Sequence, residues 1–225
     1  MTKPWTVVQR FEKNKTGRDF VCGDIHGCFD DLEYQLRKNR FDPKTDRLFC
    51  VGDMFDRGPR SRDALGYMQA NWLYTVMGNH EHMFLELYLK YTRLYKNYTY
   101  HNGSDWQYKE SYDYIAKLAK AVDTLPLIIK VDDTLILHSC LPDVDSLEEI
   151  ENNPEKYLEK IIWYRGRYPE KIRIPGIKRV YCGHTFVDEP EDCNGMINID
   201  TGAFLRYQGF QGKLTVVELK GRYRH

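Results

Sequence analysis

Five times along this 225-residue chain, a short apolar run ends on a cluster of glycine with aspartate, asparagine or histidine, or on a lone histidine. Asp19-Phe-Val-Cys22 runs into Gly23-Asp24-Ile25-His26-Gly27, and Arg47-Leu-Phe-Cys-Val51 runs into Gly52-Asp53-Met54-Phe55-Asp56-Arg57-Gly58. Leu73-Tyr-Thr-Val-Met77 leads to Gly78-Asn79-His80-Glu81, Thr134-Leu-Ile-Leu137 to His138, and Val180-Tyr-Cys182 to Gly183-His184-Thr185. Short apolar runs bounded by turn residues read as strands. Helical patterns separate the first three. From about Phe29 to Arg40, the residues Phe29, Leu32 and Leu36 share one face, Phe41 to Asp46 is a turn, and a second helix lies near Arg62 to Ala70. This alternation predicts an α/β fold with an at least partly parallel sheet. Ligands bind such sheets beyond the carboxyl ends of their strands, which is where the clusters fall.

The remaining chain fits the same scheme. Glu81 to Tyr114 is rich in Tyr, Leu and Lys and reads as two helices broken near Asn102-Gly103. Its charges are mixed in sign, which favours an amphipathic helical cap over an aromatic nucleic-acid platform. Further strands are predicted at Leu127 to Val131, at Thr134 to Leu137 beyond the turn Asp132-Asp133, before Gly183, before Asp200, and at Lys213 to Leu219. No internal repeat marks a boundary, so a single domain over residues 1–225 is expected, with the cap at about 81–122.

Composition narrows the function classes. The 33 basic and 33 acidic residues cancel, which gives no general attraction to nucleic acid or an acidic membrane. No apolar run approaches the roughly 20 residues that cross a bilayer. The N-terminus lacks the apolar segment of a signal peptide, and the expected location is cytoplasmic. The six cysteines form no CxxC pair, and Cys22, Cys50 and Cys182 sit inside apolar runs, where a thiol serves as a small hydrophobe.

The clusters carry the chemistry. Asp24 and His26 lie two apart, so in extended chain both reach one cation. Asp53 has two carboxylate oxygens and can bridge two ions. Arg57 follows as a planar fork of donors for phosphate. Asn79 offers a neutral amide oxygen, with His80 beside it as an acid–base group. Singly, each feature reads more simply as a turn or a hydrogen-bonded histidine. Four of the seven histidines fall at these strand ends, which packing alone does not explain; His82, His101 and His225 are left as structural or solvated.

In their order, GDIHG, GDMFDRG, GNHE, a lone His and GHT resemble the phosphoprotein phosphatase family of metallophosphoesterases, and within it the branch of the bacteriophage lambda protein phosphatase and its bacterial relatives. Trp163-Tyr164-Arg165, Asn102-Gly103 with Trp106, and Ile199-Asp200-Thr201-Gly202 extend the likeness, which runs from about Asp19 to the C-terminus. The resemblance implies a central β-sandwich of mixed sheets flanked by helices in α-β-β-α layers. It assigns Asp24, His26 and Asp53 to a first metal ion, and Asp53, Asn79, His138 and His184 to a second. Arg57 and Arg165 would hold the phosphate, and His80 would be the general acid, oriented by Asp56. One segment departs from the pattern: Ser139-Cys140-Leu141-Pro142 stands where that branch usually has Ala-Asp-Tyr-Pro, so an acidic residue is gone. Cys140 reads as packing.

The implied activity is hydrolysis of phosphoserine and phosphothreonine, with phosphotyrosine as an extension, in protein or peptide substrates. A metal-bound hydroxide would attack phosphorus directly, without a cysteine nucleophile. Two divalent ions are implied, manganese first, with iron and zinc as alternatives. A diadenosine tetraphosphate hydrolase is the nearest competing enzyme. That family typically has Ala-Arg-Gly where this chain has Asp56-Arg57-Gly58, and Asn-His-Asp where it has Asn79-His80-Glu81. A metal-dependent nuclease and a phospho-ligand binding protein on the same scaffold are the other readings. No nucleic-acid or membrane partner is expected.

Overall fold

A computed structural model describes residues 6–91 and 102–219. Among the described residues, ten strands form two mixed sheets, one of six strands and one of four. The smaller sheet holds β2 (Asp19–Cys22), β3 (Arg47–Cys50) and β4 (Leu73–Thr75) in parallel, with β10 (Val216–Glu218) antiparallel at its edge. The larger sheet pairs β1 (Val8–Phe11) with β5 (Ile128–Val131) in parallel and β5 with β6 (Thr134–Leu137) as an antiparallel hairpin. It continues in parallel from β6 through β7 (Arg179–Cys182) to β9 (Met196–Asn198), and ends on β8 (Glu191–Cys193), antiparallel to β9.

Side-chain alternation explains why two sheets form and stack. Successive strand residues point to opposite faces. Val21, Phe49, Ile136 and Tyr181 meet in a core between the sheets. Their neighbours Phe20, Cys22, Leu48, Cys50, Leu135, Leu137, Val180 and Cys182 point outward into a second core under the helices. Strands buried on both faces read as continuous apolar runs, as these do. The α-β-β-α layering expected from the resemblance is present.

The helices bury one face each against this outer core. In α1 (Phe29–Lys38) Phe29 and Leu32 are buried, while Asp30 and Asp31 in its first turn and Arg37 and Lys38 in its last suit the helix dipole. A short 3-10 turn at Ser61–Asp63 and α2 (Ala64–Met68) occupy the second helical pattern. α3 (Asn79–Tyr91) begins just beyond β4, and α4 (Tyr112–Val122) starts on Ser111, whose hydroxyl caps the Tyr114 N–H at 3.1 Å. Before α4, Asp105–Lys109 forms another 3-10 helix. Within the expected cap, residues 92–101 lie outside the described residues, as do His101 and His225. Two helices that the sequence reading did not predict, α5 (Leu147–Asn152) and α6 (Pro154–Ile162), cover the larger sheet with Ile150, Ile161 and Ile162. Four of the five clusters follow strands whose C-terminal ends carry parallel ladders, β2, β3, β4 and β7, and His138 follows β6 directly.

Candidate metal centre

The loops after β2, β3 and β4 meet the ends of β6 and β7 in one buried polar cluster. Asp24, His26, Asp53, Asn79, His80, His138 and His184 are all at most 6% exposed. Glycine permits this convergence at two points where backbone passes close to a ligand-type atom. A Cβ on Gly183 would collide with Asp24 Oδ1, and a Cβ on Gly78 with Asp53 Oδ1. Five residues of the cluster hold left-handed backbone without being glycine: His26, Asp53, Asp56, Arg57 and His184, with φ from 45° to 71°. Such conformations cost about 1–3 kcal/mol each and persist where surrounding contacts over-determine them, as they do around a binding site.

Asp53 sits at the centre. Its Oδ1 accepts the His80 backbone N–H at 3.0 Å. Its Oδ2 lies 3.3 Å from His26 Nε2, 3.6 Å from His138 Nε2 and 4.0 Å from His80 Nε2. Burial opposes its charge, yet His138, His80 and His26 together hold its carboxyl well below the usual carboxylate range. Donor atoms form two sets in which all members lie within 4.8 Å of one another: His26, Asp53 and His80, and Asp24, Asp53 and His138. Asp24 and His26, two apart in sequence, thus fall in different sets that share Asp53.

The second half of the cluster has too many acceptors for the protons present. His138 Nδ1 donates to the Val51 carbonyl at 2.8 Å, which leaves its Nε2 as a lone pair. His184 Nε2 lies 3.2 Å from the Trp163 carbonyl, which likewise leaves Nδ1 unprotonated. Those two lone pairs are 3.1 Å apart, and Asn79 stands with its Oδ1 2.9 Å from His138 Nε2 and 2.8 Å from His184 Nδ1. Burial pushes both imidazoles down; His184, with His138 and Arg165 adding to the effect, reaches about 3. Neutral imidazoles facing an amide oxygen and a carboxylate make a ready ligand set for a divalent cation.

The same mismatch appears around Asp24. Its Oδ2 accepts the His184 N–H at 3.1 Å, while Oδ1 is buried with no hydrogen-bond partner. Burial, Asp200 and Asp53 push its carboxyl well above the usual range. A dry carboxylate among carboxylates wants a positive charge, so the residues fit a divalent metal centre. His26 donates through Nδ1 to the Phe55 carbonyl at 3.0 Å, and its Nε2 lone pair accepts from the Arg57 guanidinium at 2.9 Å.

Beside the cluster, His80 Nδ1 meets Asp56 Oδ2 at 2.7 Å, both side chains fully buried. Burial works against a charged imidazole here, but Asp53 and Asp56 outweigh it and hold His80 above its ordinary value. The Arg57 guanidinium stacks 4.5 Å over the Phe204 ring. Arg165 is exposed at the rim, close enough to depress His138 and His184. Cys140 is buried and its thiol is pushed up to about 11 by burial, which suits packing and not ligation. His82 is mostly buried, with its ring against Trp163.

Three partners went unassigned at the sequence level. Glu81 accepts the backbone N–H groups of Asp53 and Met54 at 2.8 Å and of Gly78 at 3.0 Å, which fixes the Asp53 loop. Asp200, pushed up to about 6 by burial, packs against Asp24, and Phe204 carries Arg57. The Glu of GNHE and the Asp of IDTG were visible as motif members, but only tertiary contacts give them a task.

The chain is similar to known proteins over most of its length. A family model described as calcineurin-like phosphoesterase matches residues 20–188. Serine/threonine-protein phosphatase 1 of Salmonella typhimurium is 32% identical over 98% of this chain and 100% of its own length. A symmetrical bis(5'-nucleosyl)-tetraphosphatase of Serratia proteamaculans is 40% identical, but over 33% of this chain and 27% of its own. Among solved structures, a protein serine/threonine phosphatase from Saccharomyces cerevisiae superimposes with a TM-score of 0.60 at 17% identity, covering 98% of this chain and 86% of that one, a likeness of fold.

Proposed function

The chain belongs to the calcineurin-like phosphoesterase family, and from that premise we propose that it is a metal-dependent protein phosphatase acting on phosphoserine and phosphothreonine monoesters. The observation that carries the choice of substrate is the buried 2.7 Å contact between His80 and Asp56. A serine or threonine alkoxide is a poor leaving group and needs a proton as its bond to phosphorus breaks. A nucleoside polyphosphate leaves as a stable anion and gains far less from an acid. A positioned imidazole supported by a carboxylate therefore suits an alcohol ester, and the full-length likeness to a bacterial serine/threonine phosphatase supports the same reading.

In this reading, which follows the ligand assignment that the family resemblance implies and not the two sets of donor atoms within 4.8 Å, Asp24, His26 and Asp53 hold one ion, and Asp53, Asn79, His138 and His184 hold a second. The mixed carboxylate, amide and imidazole set suits manganese, with iron and zinc as alternatives. Two such ions, when bound, supply a nucleophile at neutral pH and polarise the phosphoryl oxygens. The protein's own residues do the rest. Arg57, anchored by Phe204, and Arg165 at the rim offset charge on the phosphoryl oxygens as it builds. His80 presents Nε2 to the departing oxygen while Asp56 fixes Nδ1 and supports the positive ring. The chain functions as one domain, with a helical cap segment at about 81–122. Five of the six free thiols are buried, which fits a cytoplasmic enzyme. Among the described residues, no helix is long and apolar enough to cross a membrane.

A hydrolysis panel with added manganese tests the proposal. It contains phosphoserine, phosphothreonine and phosphotyrosine peptides, a phosphodiester and diadenosine tetraphosphate. Turnover of the phosphoserine and phosphothreonine peptides well above the others is expected. The local likeness to the tetraphosphatases favours the second reading, and diadenosine tetraphosphate as the best substrate would establish it. Binding without turnover would make the chain a phospho-ligand binder.

A further inference from the structure

The acid–base pair is held from outside its own strand ends. The two carboxylate oxygens of Asp56 face different partners. Oδ2 meets His80 Nδ1 at 2.7 Å. Oδ1 accepts the indole N–H of Trp106 at 2.7 Å and the side-chain amide of Gln107 at 3.3 Å. Both donors belong to the 3-10 helix Asp105–Lys109, just before α4. The same segment also reaches the next residue: the Gly103 carbonyl accepts the Arg57 backbone N–H at 3.1 Å. Asp56 and Arg57 are consecutive left-handed residues, φ 71° and 70°, a conformation that needs external support. Gly103 is itself left-handed at 81°, and a Cβ there would come within 2.6 Å of Arg57 N. The indole is fixed in turn by aromatic packing, 5.9 Å from Phe55 and 6.2 Å from Tyr114.

We propose that Trp106 is a positioning residue for the general acid, acting on His80 through Asp56, with Gln107 as its second donor. A carboxylate held only by an imidazole can rotate about its last bond and carry the ring with it. An indole N–H on the opposite oxygen, on a rigid aromatic body, stops that rotation. It fixes the direction in which His80 Nε2 faces the site. Segment 102–107 is thereby part of the proton-delivery apparatus, and the Gly103 carbonyl ties the phosphate-binding arginine to the same support.

The inference rests on His80 being the acid, and the test separates the two claims. Manganese-loaded wild type, Trp106→Phe, His80→Asn and the double variant are assayed on a phosphoserine peptide and on p-nitrophenyl phosphate, with metal content and melting temperature measured alongside. Trp106→Phe keeps an aromatic ring and removes the N–H. It should lower kcat on the peptide about tenfold, a part of the 10²–10⁴-fold that general acids supply. KM, metal content and the p-nitrophenyl phosphate rate should stay near wild type. In the His80→Asn background the same change should have no further effect, which a merely structural tryptophan would not show. Equal losses on both substrates, a loss that persists without His80, or no loss at all would reduce Trp106 to packing. If Trp106→Phe does not fold, Gln107→Leu carries the same comparison at smaller amplitude. Should His80→Asn itself slow both substrates equally, the acid assignment fails. Should His80→Asn be selective and Trp106→Phe not, only the positioning role fails.

Discussion

His80 concentrates the mechanism in one side chain, because it neighbours the ligand-type Asn79 in sequence yet binds Asp56 through Nδ1. As an acid, its worth depends on the leaving group. A nitrophenolate is stable by itself, and a serine alkoxide is not. His80→Asn should slow phosphoserine peptide hydrolysis by about 10²–10⁴-fold and p-nitrophenyl phosphate hydrolysis much less, with the metals retained. Asp56→Asn should show a milder form of the same selectivity, because Asp56 touches the imidazole and not the substrate. Rates on both substrates, read beside elemental analysis, check this. The geometry also places His80 Nε2 in a donor set with His26 and Asp53. If His80→Asn loses metal and slows both substrates alike, His80 is a ligand and the role assigned here is wrong.

At the scale of the element, α3 is tied to the loop after β3 by one carboxylate. Glu81 Oε2 accepts N–H from Asp53 and Gly78, and Oε1 accepts N–H from Met54. Burial and Asp53 push its carboxyl up to about 8, while the N–H donors of Met54 and Asp53 pull the other way. With both oxygens already accepting, a proton on either would point at a donor, so the ionised form fits the geometry. Glu81→Gln places an amide NH₂ against those same donors and leaves a buried donor unsatisfied, at about 1–3 kcal/mol. Each kcal/mol corresponds to roughly 2–4 °C in melting temperature for a domain of this size. Calorimetry and a metal titration should show both a lower melting temperature and weaker metal binding, since Asp53, proposed to bridge the two ions, sits on the loop that these donors fix. An unchanged melting temperature would mean that the carboxyl is held neutral. Such couplings mark the limit of what the sequence makes legible. β2 and β6 could be read to the residue, because their apolar runs are abrupt and end on glycine or histidine. β1 could not: Val8–Phe11 is half polar, and its partner β5 begins at Ile128. α5 and α6 follow the segment in which the chain departs from the family pattern. Every residue placed in the buried cluster carried a strand-end signal. The residues that hold the cluster from behind, Glu81, Asp200, Trp106 and Gln107, owe their roles to contacts between elements, which periodicity does not encode.

For the whole molecule, the decisive fact is that the cluster joins two sheets. Asp24, His26, Asp53 and Asn79 follow strands of the smaller sheet, whereas His138 and His184 follow β6 and β7 of the larger. Cations bound between them would therefore hold the sandwich together as well as drive the chemistry. Without a cation, Asp24, Asp53 and Asp200 remain buried near one another, which raises the carboxyls of Asp24 and Asp200. Chelation should abolish activity, and it should also lower the melting temperature. A ligand present at 100 times its Kd stabilises a fold by about 2.7 kcal/mol. At roughly 2–4 °C for each kcal/mol, loaded and chelated protein should differ by about 5–10 °C. The difference has a pH sign. Cations bind the deprotonated donors, so protonation of the carboxylates and imidazoles competes with them. Asp200, at about 6, and Asp24, raised above the carboxylate range, regain protons as pH falls. The gap between loaded and chelated protein should therefore shrink as pH falls, including through about 6, where Asp200 regains its proton. Scanning calorimetry with and without manganese from acidic to neutral pH measures it. Full activity in a chelated, metal-free sample, or equal melting curves at neutral pH, would falsify the two-ion reading.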